Sequence, residues 1–337
     1  MGRLFKLLAS AVWSDMSVLV TGGAGYIGSA LIDQLLKDGY HVVSIDNLYR
    51  GDYGPLKSHE RGEKLVLLIG DICDVEALDR AARSADDLEA IFHLAAVPGV
   101  TLCAKDPERA VMTNVYGSYN VLEVARRYDV EKVILASSAA VYGDPVRLPV
   151  NEDHPVRPKN LYGVTKLAAE HLFMSYHELY GMATVITRLG NVYGVGLFTY
   201  WDNVIPKFVR QALNGEPLTV YWTGKQTRDF IHVRDVVDGL KLILKTRRSF
   251  VSGEVFNLAV GKPTSINYVA TVVKEIVQGE LNIPVNIKHV PPPPERSETF
   301  IPGFCLSVEK IQRLGFVPRW SIKEGVIQLI TYCRGGK

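Results

Sequence analysis

A tyrosine and a lysine stand four residues apart near the start of a segment whose pattern predicts a helix over residues 161–180. This spacing places the Tyr162 and Lys166 side chains on one helical face. A free phenol has a pKa of about 10, and an ammonium about 4 Å away lowers it by up to roughly three units at an effective dielectric of about 20. The pair therefore predicts a general base on Tyr162, although the same spacing by itself more often marks a surface pair.

A serine follows a predicted strand at a place where ligands bind in parallel sheets. The strand is predicted over 132–136, and Ser138 lies two residues beyond its end. The crevice outside the carboxyl ends of parallel strands is the usual ligand site. We expect Ser138 to hydrogen-bond the reacting hydroxyl of a substrate and to orient it toward Tyr162. The alternative is a serine that only stabilises the turn at the strand end.

A glycine-rich loop between a predicted strand and a helix has the pattern of a dinucleotide site. Its glycines recur at every third position: Gly22, Gly25 and Gly28. Such a loop lets the backbone and the helix N-terminus approach a pyrophosphate. Asp46 ends the second strand, about 20 residues further on, where a carboxylate accepts the ribose hydroxyls of NAD. Asn47 favours NAD over NADP, while the nearby Arg50 leaves NADP open. The alternative is a tight turn beside a helix-capping aspartate.

Two further polar residues follow or interrupt predicted elements. Asp71 comes after the third strand, where it either binds the adenine amino group or caps the helix that follows Asp74. Asn114 lies inside a helix predicted over 107–128, although asparagine is a poor helix former. It either holds a water or a backbone carbonyl near Lys166, or is a tolerated polar residue.

Short apolar strands alternate with helical patterns from Ser17 onward. The predicted strands cover 18–21, 41–45, 65–69, 90–94 and 132–136, and the first helices cover about 27–37, 74–83, 107–128 and 161–180. Alternation of this kind predicts an α/β fold with a doubly wound parallel (Rossmann) sheet. After about residue 190 glycine, proline and aromatic residues become dense, and helices are predicted over 204–213 and 267–277. We expect an N-terminal extension (1–16), an NAD-binding Rossmann domain with the catalytic residues (17–190), and a smaller mixed α/β substrate domain (191–337) from which some elements return to the Rossmann core.

The composition excludes several other classes of protein. Among 337 residues, 38 basic and 36 acidic side chains give a net charge of +2, which is not the footprint of a nucleic-acid binder. Four cysteines lie far apart, which favours a reducing, cytoplasmic location over a disulfide framework and predicts no metal site. An apolar run of 18 residues is missing, so no membrane span is expected. Whether translation starts at Met1 or Met16 stays open.

Taken together, eight sequence blocks resemble the extended short-chain dehydrogenase/reductases that modify nucleotide sugars, with most similarity to NAD-dependent UDP-glucose (UDP-galactose) 4-epimerases. The blocks are TGGAGYIG at 21–28, DN at 46–47, GDI at 70–72, HLAA at 93–96, SSAAVYG at 137–143, YGVTK at 162–166, RLGNVYG at 188–194 and TRDFIHVRDV at 227–236. The resemblance runs from Ser17 to about Ile330. It implies bound NAD and a UDP-hexose whose O4 proton Tyr162 removes while C4 gives a hydride to NAD, so that a transient 4-keto sugar turns over and is reduced on its other face.

The resemblance also implies which residues contact each ligand. The cofactor contacts are Gly22, Gly25, Tyr26, Ile27, Gly28, Asp46, Asn47, Asp71, Ile72, Leu94, Ala95, Ala96, Asn114, Tyr162 and Lys166. The substrate contacts are Ser138, Tyr162, Asn191, Asn203, Val204, Tyr221, Arg228, Arg296 and Gly303. Tyr221 would stack on the uracil, and the two arginines would bind the diphosphate. Family members commonly form homodimers through two helices each, here the helices at 107–128 and 161–180.

Departures from the family pattern bear on the reaction. Ala139 and Ala140 stand where the 4,6-dehydratases carry an Asp-Glu pair, which argues against dehydration. Pro98 replaces a lysine of the bacterial epimerases, and Arg296 lacks the usual Pro-Gly-acid sequence after it. Gly303 stands where a bulky residue excludes N-acetylated sugars, so UDP-GlcNAc and UDP-GalNAc are also expected as substrates. The alternatives are a UDP-glucuronate 4-epimerase or decarboxylase, a net oxidoreductase on a nucleotide sugar, and a non-catalytic NAD-binding protein.

Overall fold

The computed structural model describes residues 16–57, 64–196, 199–201, 203–292 and 301–335. Within these ranges the main feature is a seven-stranded sheet in which every neighbouring pair is parallel. Its strands are β1 (Ser17–Thr21), β2 (His41–Asp46), β3 (Leu65–Ile69), β4 (Leu88–His93), β5 (Lys132–Ser138), β6 (Thr184–Leu189) and β10 (Val255–Leu258). Their order, β10-β6-β5-β4-β1-β2-β3, confirms the predicted doubly wound Rossmann architecture.

Helices cover both faces of this sheet, as its apolar strands require. The helices in the described ranges are α1 (Tyr26–Lys37), α2 (Val75–Arg83), α3 (Val100–Lys105), α4 (Pro107–Val111), α5 (Gly117–Arg127), α6 (Leu161–Tyr180), α7 (Val204–Leu213), α8 (Val233–Lys245), α9 (Ile266–Leu281), α10 (Glu309–Gln312) and α11 (Ile322–Gly335). Apolar side chains of α1 and α8 pack on one face of the sheet, and those of α2, α5 and α6 pack on the other. Four of the predicted helices, now α1, α2, α6 and α7, lie within a residue of their expected bounds, and the helix expected over 267–277 is longer, as α9.

The helix predicted over 107–128 is interrupted in its middle. A turn of π-helix (Met112–Tyr116) joins α4 to α5. Asn114 lies in this turn, and its side chain bonds to the loop after β4 rather than facing solvent. Gly117 follows, where a Cβ would come 2.5 Å from the side chain of Ile72. The sequence pattern could not show the interruption, because the partners of Asn114 are distant in the chain.

The C-terminal part of the chain forms two small sheets and returns twice to the main sheet. The additional strands are β7 (Asn191–Tyr193), β8 (Leu218–Tyr221), β9 (Thr227–His232), β11 (Pro263–Ser265) and β12 (Ile287–Val290). Strand β9 pairs with β7 and β11, and β8 pairs with β12. Apolar residues of α7, α9 and α11 pack on these strands. In contrast, β10 pairs with β6 of the main sheet and α8 packs on that sheet, so both elements join the C-terminal part to the first half of the chain.

Two buried aspartates fix the loops of this C-terminal part. The carboxylate of Asp229 accepts the backbone N–H groups of Val260, Gly261 and Leu306 at 3.0–3.1 Å. Asp235 does the same for the backbone amides of the segment 319–320. Burial raises the pKa of both carboxyls, and these amide hydrogen bonds oppose the shift. Both aspartates of the TRDFIHVRDV block therefore hold loops in place rather than contact a ligand.

Three further observations on the described residues concern helix length, cysteines and clusters of possible metal ligands. None of the helices in the described part of the chain is long and apolar enough to cross a membrane. The four cysteines, Cys73, Cys103, Cys305 and Cys333, are all free thiols. Over the same residues, no group of three or more His, Cys, Asp or Glu side chains is placed to share a metal ion.

A buried histidine connects β4 to two neighbouring elements. The ring nitrogens of His93 hydrogen-bond Thr21 Oγ1 at the end of β1 and Ser118 Oγ in α5, each at 2.8 Å. His93 is 1% exposed, and burial followed by the nearby Lys166 charge lowers its pKa to about 3. The imidazole is therefore neutral in the folded protein at pH 5–7, whereas an unfolded chain takes up a proton near pH 6.5.

Folding stability should consequently fall as the pH drops below about 6.5, because only the unfolded state binds the proton. For His93 the loss amounts to roughly 2 kcal/mol at pH 5, at about 1.4 kcal/mol per pH unit. The free energy of unfolding in urea is measured at pH 7 and pH 5 for wild type and for His93→Gln. The decrease from pH 7 to pH 5 should be about 2 kcal/mol smaller in His93→Gln than in wild type. The exposed His171→Gln is the control and should keep the wild-type decrease. An equal decrease in wild type and His93→Gln would contradict the expectation.

Candidate active site

A cleft of about 1040 Å³ opens at the carboxyl ends of the parallel strands, between the main sheet and the C-terminal part. It is the place where ligands bind in this architecture. Most residues singled out in the sequence line it: Gly22, Gly25, Tyr26, Ile27, Gly28, Asp46, Asn47, Asp71, Ile72, Leu94, Ala95, Ala96, Ser138, Tyr162, Lys166, Asn191, Asn203, Val204, Tyr221 and Arg228. The fold therefore brings together side chains that are as far apart in sequence as Gly22 and Arg228.

Three predicted residues are not part of this lining. Asn114 is buried behind it. Gly303 lies beside Thr227 Oγ1 and the Leu148 side chain, which a Cβ would approach at 3.5 and 3.7 Å. Arg296 lies outside the described residues. The expected roles of these three in ligand binding stay predictions.

The glycine loop forms a backbone cradle at the start of α1. Gly22 has φ +75°, and a Cβ there would come 2.6 Å from the backbone nitrogen of Ala95. A Cβ at Gly28 would overlap the carbonyl of Gly22. The N-terminus of α1 has no side-chain cap and no acidic residue in its first turn. Its exposed N–H groups and partial positive charge thus suit the pyrophosphate of a dinucleotide.

Asp46 stands at the end of β2 beside this cradle. Its two carboxylate oxygens accept the backbone N–H groups of Ala24, at 3.1 Å, and Leu48, at 2.8 Å. Burial is the largest influence and raises the pKa of the carboxyl, and both amide hydrogen bonds lower it. Each oxygen keeps a lone pair for a ribose hydroxyl. Asp46 is not the cap of a helix, since the residue at the N-cap of α1 is Gly25.

Asp71 lines the same cleft as Asp46, near enough for its charge to act on the Asp46 carboxyl. It accepts hydrogen bonds from the Cys73 backbone and from Asn47 Nδ2, both at 2.8 Å. Burial acts to raise its pKa, but these hydrogen bonds and the charge of Arg109 bring the pKa below its ordinary value. The N-cap of α2 is Asp74, not Asp71. The capping alternative for Asp71 is therefore wrong, and its carboxylate is left facing the cleft.

The three expected catalytic side chains meet where β5 ends and α6 begins. Ser138 is the last residue of β5. Its side-chain oxygen accepts the Ala140 N–H at 3.2 Å, and it lies near enough to the Tyr162 phenol to act on the phenol's pKa. Asn160 caps α6 by accepting the backbone N–H of Gly163 at 2.9 Å. One turn later, the Lys166 ammonium is 4% exposed and donates to the carbonyl of Ala136 at 2.8 Å.

The protonation state of Tyr162 differs from the sequence-based expectation. Burial raises the pKa of its phenol to about 12, and the neighbouring Ser138 side chain only partly opposes this. Burial also lowers the pKa of Lys166 to about 8. The predicted lowering of the phenol pKa by the lysine is therefore wrong for the protein without ligands. The physical reason is that desolvation destabilises phenolate and ammonium alike, and the ammonium is engaged by the Ala136 carbonyl.

Asn114 organises the wall of the cleft from behind. Its side-chain oxygen accepts the Val97 N–H at 2.7 Å, and its amide nitrogen donates to the Val97 carbonyl at 3.2 Å and to Thr165 Oγ1 at 3.0 Å. Thr165 immediately precedes Lys166. The sequence left open whether Asn114 holds a carbonyl or is only a tolerated polar residue. In the structure it holds the Val97 carbonyl and joins it to α6.

A buried ion pair beneath the cleft was not anticipated from the sequence. The Arg188 guanidinium forms a paired contact with Glu170, at 2.7 Å for the shortest N–O distance, and donates to Tyr142 Oη at 3.0 Å. Ser137 Oγ donates to the same carboxylate at 2.5 Å. Glu170 lies four residues after Lys166, so the network joins β5, β6 and α6 beside Ser138. The spacing of Lys166 and Glu170 is visible in the sequence, but the partner of Glu170 on β6, Arg188, is not.

The other half of the cleft is rich in cations. Arg228 donates to the carbonyls of Thr227, at 2.7 Å, and Ile301, at 2.8 Å. Burial lowers the pKa of its guanidinium, and no acid in the described ranges forms an ion pair with it. Lys207 lies over the Tyr221 ring, 5.2 Å from its centroid. Lys207 was missed from the sequence because only the packing of α7 against β8 brings it there.

The charges that line the described cleft are strongly unequal. The cations are Arg50, Arg109, Lys159, Lys166, Lys207, Arg210 and Arg228, and the carboxylates are Asp46 and Asp71. The whole chain, in contrast, has a net charge of only +2. A concave site lined in this way concentrates anions. The cleft thus fits ligands that carry several phosphates.

We expect that Tyr162 stays protonated in the ligand-free protein up to about pH 10, because burial holds its pKa above the free value. Tyrosinate absorbance of wild type minus that of Tyr162→Phe should therefore show no single-tyrosine transition below that pH. Circular dichroism over the same range verifies that both proteins stay folded. A transition between about pH 7 and 9 would contradict this and restore the simple lysine-driven lowering.

Comparison with known proteins places this geometry in a family. Residues 18–259 match the model of the NAD dependent epimerase/dehydratase family. The chain is 32% identical over 321 residues to a putative UDP-glucose 4-epimerase of Methanocaldococcus jannaschii, covering 94% of this chain and 98% of the other. It is 31% identical, over 94% of its length and 88% of the other chain, to a dTDP-D-glucose 4,6-dehydratase of Bos taurus.

A solved structure agrees with these sequence matches. The UDP-glucose 4-epimerase of Thermotoga maritima, determined with UDP-glucose, superposes with a TM-score of 0.83 at 31% identity, covering 95% of this chain and 99% of that one. The matched family segment contains the glycine loop, Asp46, Ser138, Tyr162 and Lys166. From these matches we conclude that the chain belongs to the NAD-dependent epimerase/dehydratase family of extended short-chain dehydrogenase/reductases, whose cofactor is NAD.

Proposed function

We propose that the protein is an isomerase, a UDP-hexose 4-epimerase that interconverts UDP-glucose and UDP-galactose. The observation that carries the proposal is the position of the Tyr162 phenol, which lies near Ser138 inside the same cleft as the dinucleotide cradle and the cationic wall around Arg228. A proton acceptor, a redox cofactor site and an anion site thus surround one space. An epimerisation at a sugar hydroxyl requires all three.

The residues present fit NAD at one end of the cleft. Backbone N–H groups at the start of α1 would hold the pyrophosphate, and Asp46 would accept the ribose hydroxyls. Bound NAD supplies a group that takes a hydride from C4 of the sugar and gives it back. The carboxylate of Asp46 disfavours the 2′-phosphate of NADP through charge repulsion.

The proton at O4 of the sugar is the task of the protein side chains. Ser138 would donate to or accept from this hydroxyl and orient it toward Tyr162. Tyr162 would take the proton as C4 becomes a ketone, and return it after the sugar has turned. The high pKa keeps this phenol protonated in the ligand-free protein, so Tyr162 can act as a base only after bound ligands have lowered the pKa. The cationic nicotinamide ring of bound NAD should lower this pKa for the first step.

The cleft wall beside Ser138 favours epimerisation over dehydration. Ala139 and Ala140 line the cleft there and carry no acid that could protonate a leaving hydroxyl at C6. Small apolar side chains also leave a sugar ring free to turn. Arg228 and the neighbouring cations would hold the diphosphate while the ring turns. Elimination of water from the sugar therefore has no acid catalyst at these two positions, and the sugar ring has space to turn.

We also propose that the protein is a homodimer. Met112, Tyr116 and Tyr119 are 41–42% exposed and follow one another at helical spacing along the π-turn and the start of α5. Val164, on the adjacent α6, is 48% exposed. An apolar face of this kind on two packed helices suits a four-helix contact between two copies.

Sedimentation equilibrium should accordingly give a dimer mass for wild type and a shift toward the monomer for Tyr119→Asp, because a buried carboxylate at the contact is costly. Tyr268→Asp, which changes an exposed tyrosine of α9, is the matched control and should leave the mass unchanged. A monomeric wild type would rule out the dimer.

The proposed reaction is tested by incubating the purified protein with UDP-glucose, UDP-GlcNAc and UDP-glucuronate separately and separating the nucleotide sugars by chromatography. UDP-glucose should equilibrate with UDP-galactose over many turnovers without net change in NAD or NADH. Tyr162→Phe should retain NAD and UDP but lose roughly 10²–10⁴ of the rate, the usual contribution of a general base. Tyr176→Phe removes a phenol from the same helix outside the cleft and should leave the rate within about threefold.

Each outcome of this experiment separates the candidate reactions. Turnover of UDP-GlcNAc would support the substrate width predicted from Gly303, and its absence would refute that prediction alone. Equilibration of UDP-glucuronate but not of UDP-glucose would reassign the substrate, and release of a pentose product would identify a decarboxylase. Full activity of Tyr162→Phe would show that another group is the base.

A further inference from the structure

An arginine and a tyrosine that are 150 residues apart in sequence meet across the cleft. The Arg50 guanidinium lies over the Tyr200 ring, 4.5 Å from its centroid, and donates to Tyr200 Oη at 3.3 Å. Both side chains are half-buried and both line the cleft. The contact combines a cation–π interaction with a hydrogen bond.

The two partners belong to opposite walls. Arg50 lies in the loop after β2, four residues beyond Asp46, and this loop packs on the glycine cradle: a Cβ at Gly51 would overlap the backbone of Ala24. Tyr200 lies just before Asn203 and Val204 at the start of α7, on the side of the proposed nucleotide-sugar site. A contact between them therefore connects the cofactor wall to the substrate wall.

A second contact links the same two walls. Tyr26 Oη, in the first turn of α1, donates to the carbonyl of Gly194 at 2.8 Å. The loop that carries Arg50 is also held from its other side, because Arg109 lies over the Tyr49 ring at 4.4 Å. Arg50 is thus presented from a fixed loop, and its reach to Tyr200 is not a chance contact of a free surface side chain.

The contact also accounts for an arginine that the sequence left ambiguous. Next to Asp46, Arg50 could have been a ligand for the 2′-phosphate of NADP. In the structure its guanidinium is engaged by Tyr200 instead.

We propose that the Arg50–Tyr200 contact is a clasp that retains the dinucleotide. The inference rests on the proposed NAD site at the cradle. A dinucleotide that lies between Asp46 and Tyr162 is enclosed by the two walls, and its release requires that they separate. The clasp opposes this separation, so it lengthens the residence time of the cofactor, which an epimerase never needs to exchange during turnover.

The test is the rate at which bound NADH leaves the full-length protein into an excess of NAD, followed by the fluorescence of bound NADH. Tyr200→Ala and Arg50→Gln should each release NADH about five- to tenfold faster than wild type, as expected for loss of a partly desolvated cation–π contact. The double variant should be no faster than the faster single variant, since either change removes the same contact. Tyr200→Phe, which keeps the ring, should lie between.

The controls separate this proposal from the function on which it rests. Tyr268→Ala removes an exposed tyrosine away from the cleft and should release NADH at the wild-type rate, and thermal unfolding of each variant without ligand verifies the fold. The affinity of the NAD-loaded variants for UDP, measured by calorimetry, should stay within about twofold of wild type. Single variants that release NADH at the wild-type rate, or that lose UDP affinity equally, would overturn the clasp. A wild type that binds no NADH at all would instead overturn the proposed function.

Discussion

The hydrogen bond from the Lys166 ammonium to the Ala136 carbonyl is the contact on which the arrangement of the site depends. It joins α6, which carries Tyr162, to the end of β5, which carries Ser138. A buried ammonium is costly unless it is hydrogen-bonded, so the lysine has little freedom to leave this carbonyl. The phenol and the serine hydroxyl are thereby held near each other in one cleft before any ligand arrives, which is the preorganisation that proton transfer requires.

Deeper in the molecule, buried polar groups keep this junction from moving. The Glu170 carboxylate accepts from Ser137 on β5 and from Arg188 on β6, while Asn114 connects the loop after β4 to Thr165. Such pairs contribute little net stability compared with apolar residues, but breaking one of them is strongly destabilising. Their value here is geometric, because Ser137, Thr165 and Glu170 lie within four residues of Ser138 or Lys166 and are joined by Arg188 and Asn114 to neighbouring elements.

The cleft exists because the chain returns to its first half after building the substrate side. Strand β10 pairs with β6, and α8 packs beside α1 on the same face of the sheet. Asp229 and Asp235 then fix the loops that reach back over the sheet. The outcome is a cleft with a neutral, small-residue wall at Ala139 and Ala140 and a cationic wall at Arg228, as suits a ligand whose sugar turns while its diphosphate stays in place.

The sequence by itself determined the elements and the chemistry that is local to them: the alternating strands and helices of a doubly wound sheet, the glycine cradle, the strand-end position of Ser138, and the one-turn spacing of Tyr162 and Lys166. Periodicity and turn chemistry depend on neighbours in the chain, so they are readable without coordinates. The tertiary structure alone decided the π-turn at Asn114, the Arg188–Glu170 pair, the Arg50–Tyr200 contact and the high pKa of Tyr162. Each of these depends on burial or on a partner distant in sequence, and a pairwise estimate between two nearby residues leaves out the desolvation that a folded interior imposes.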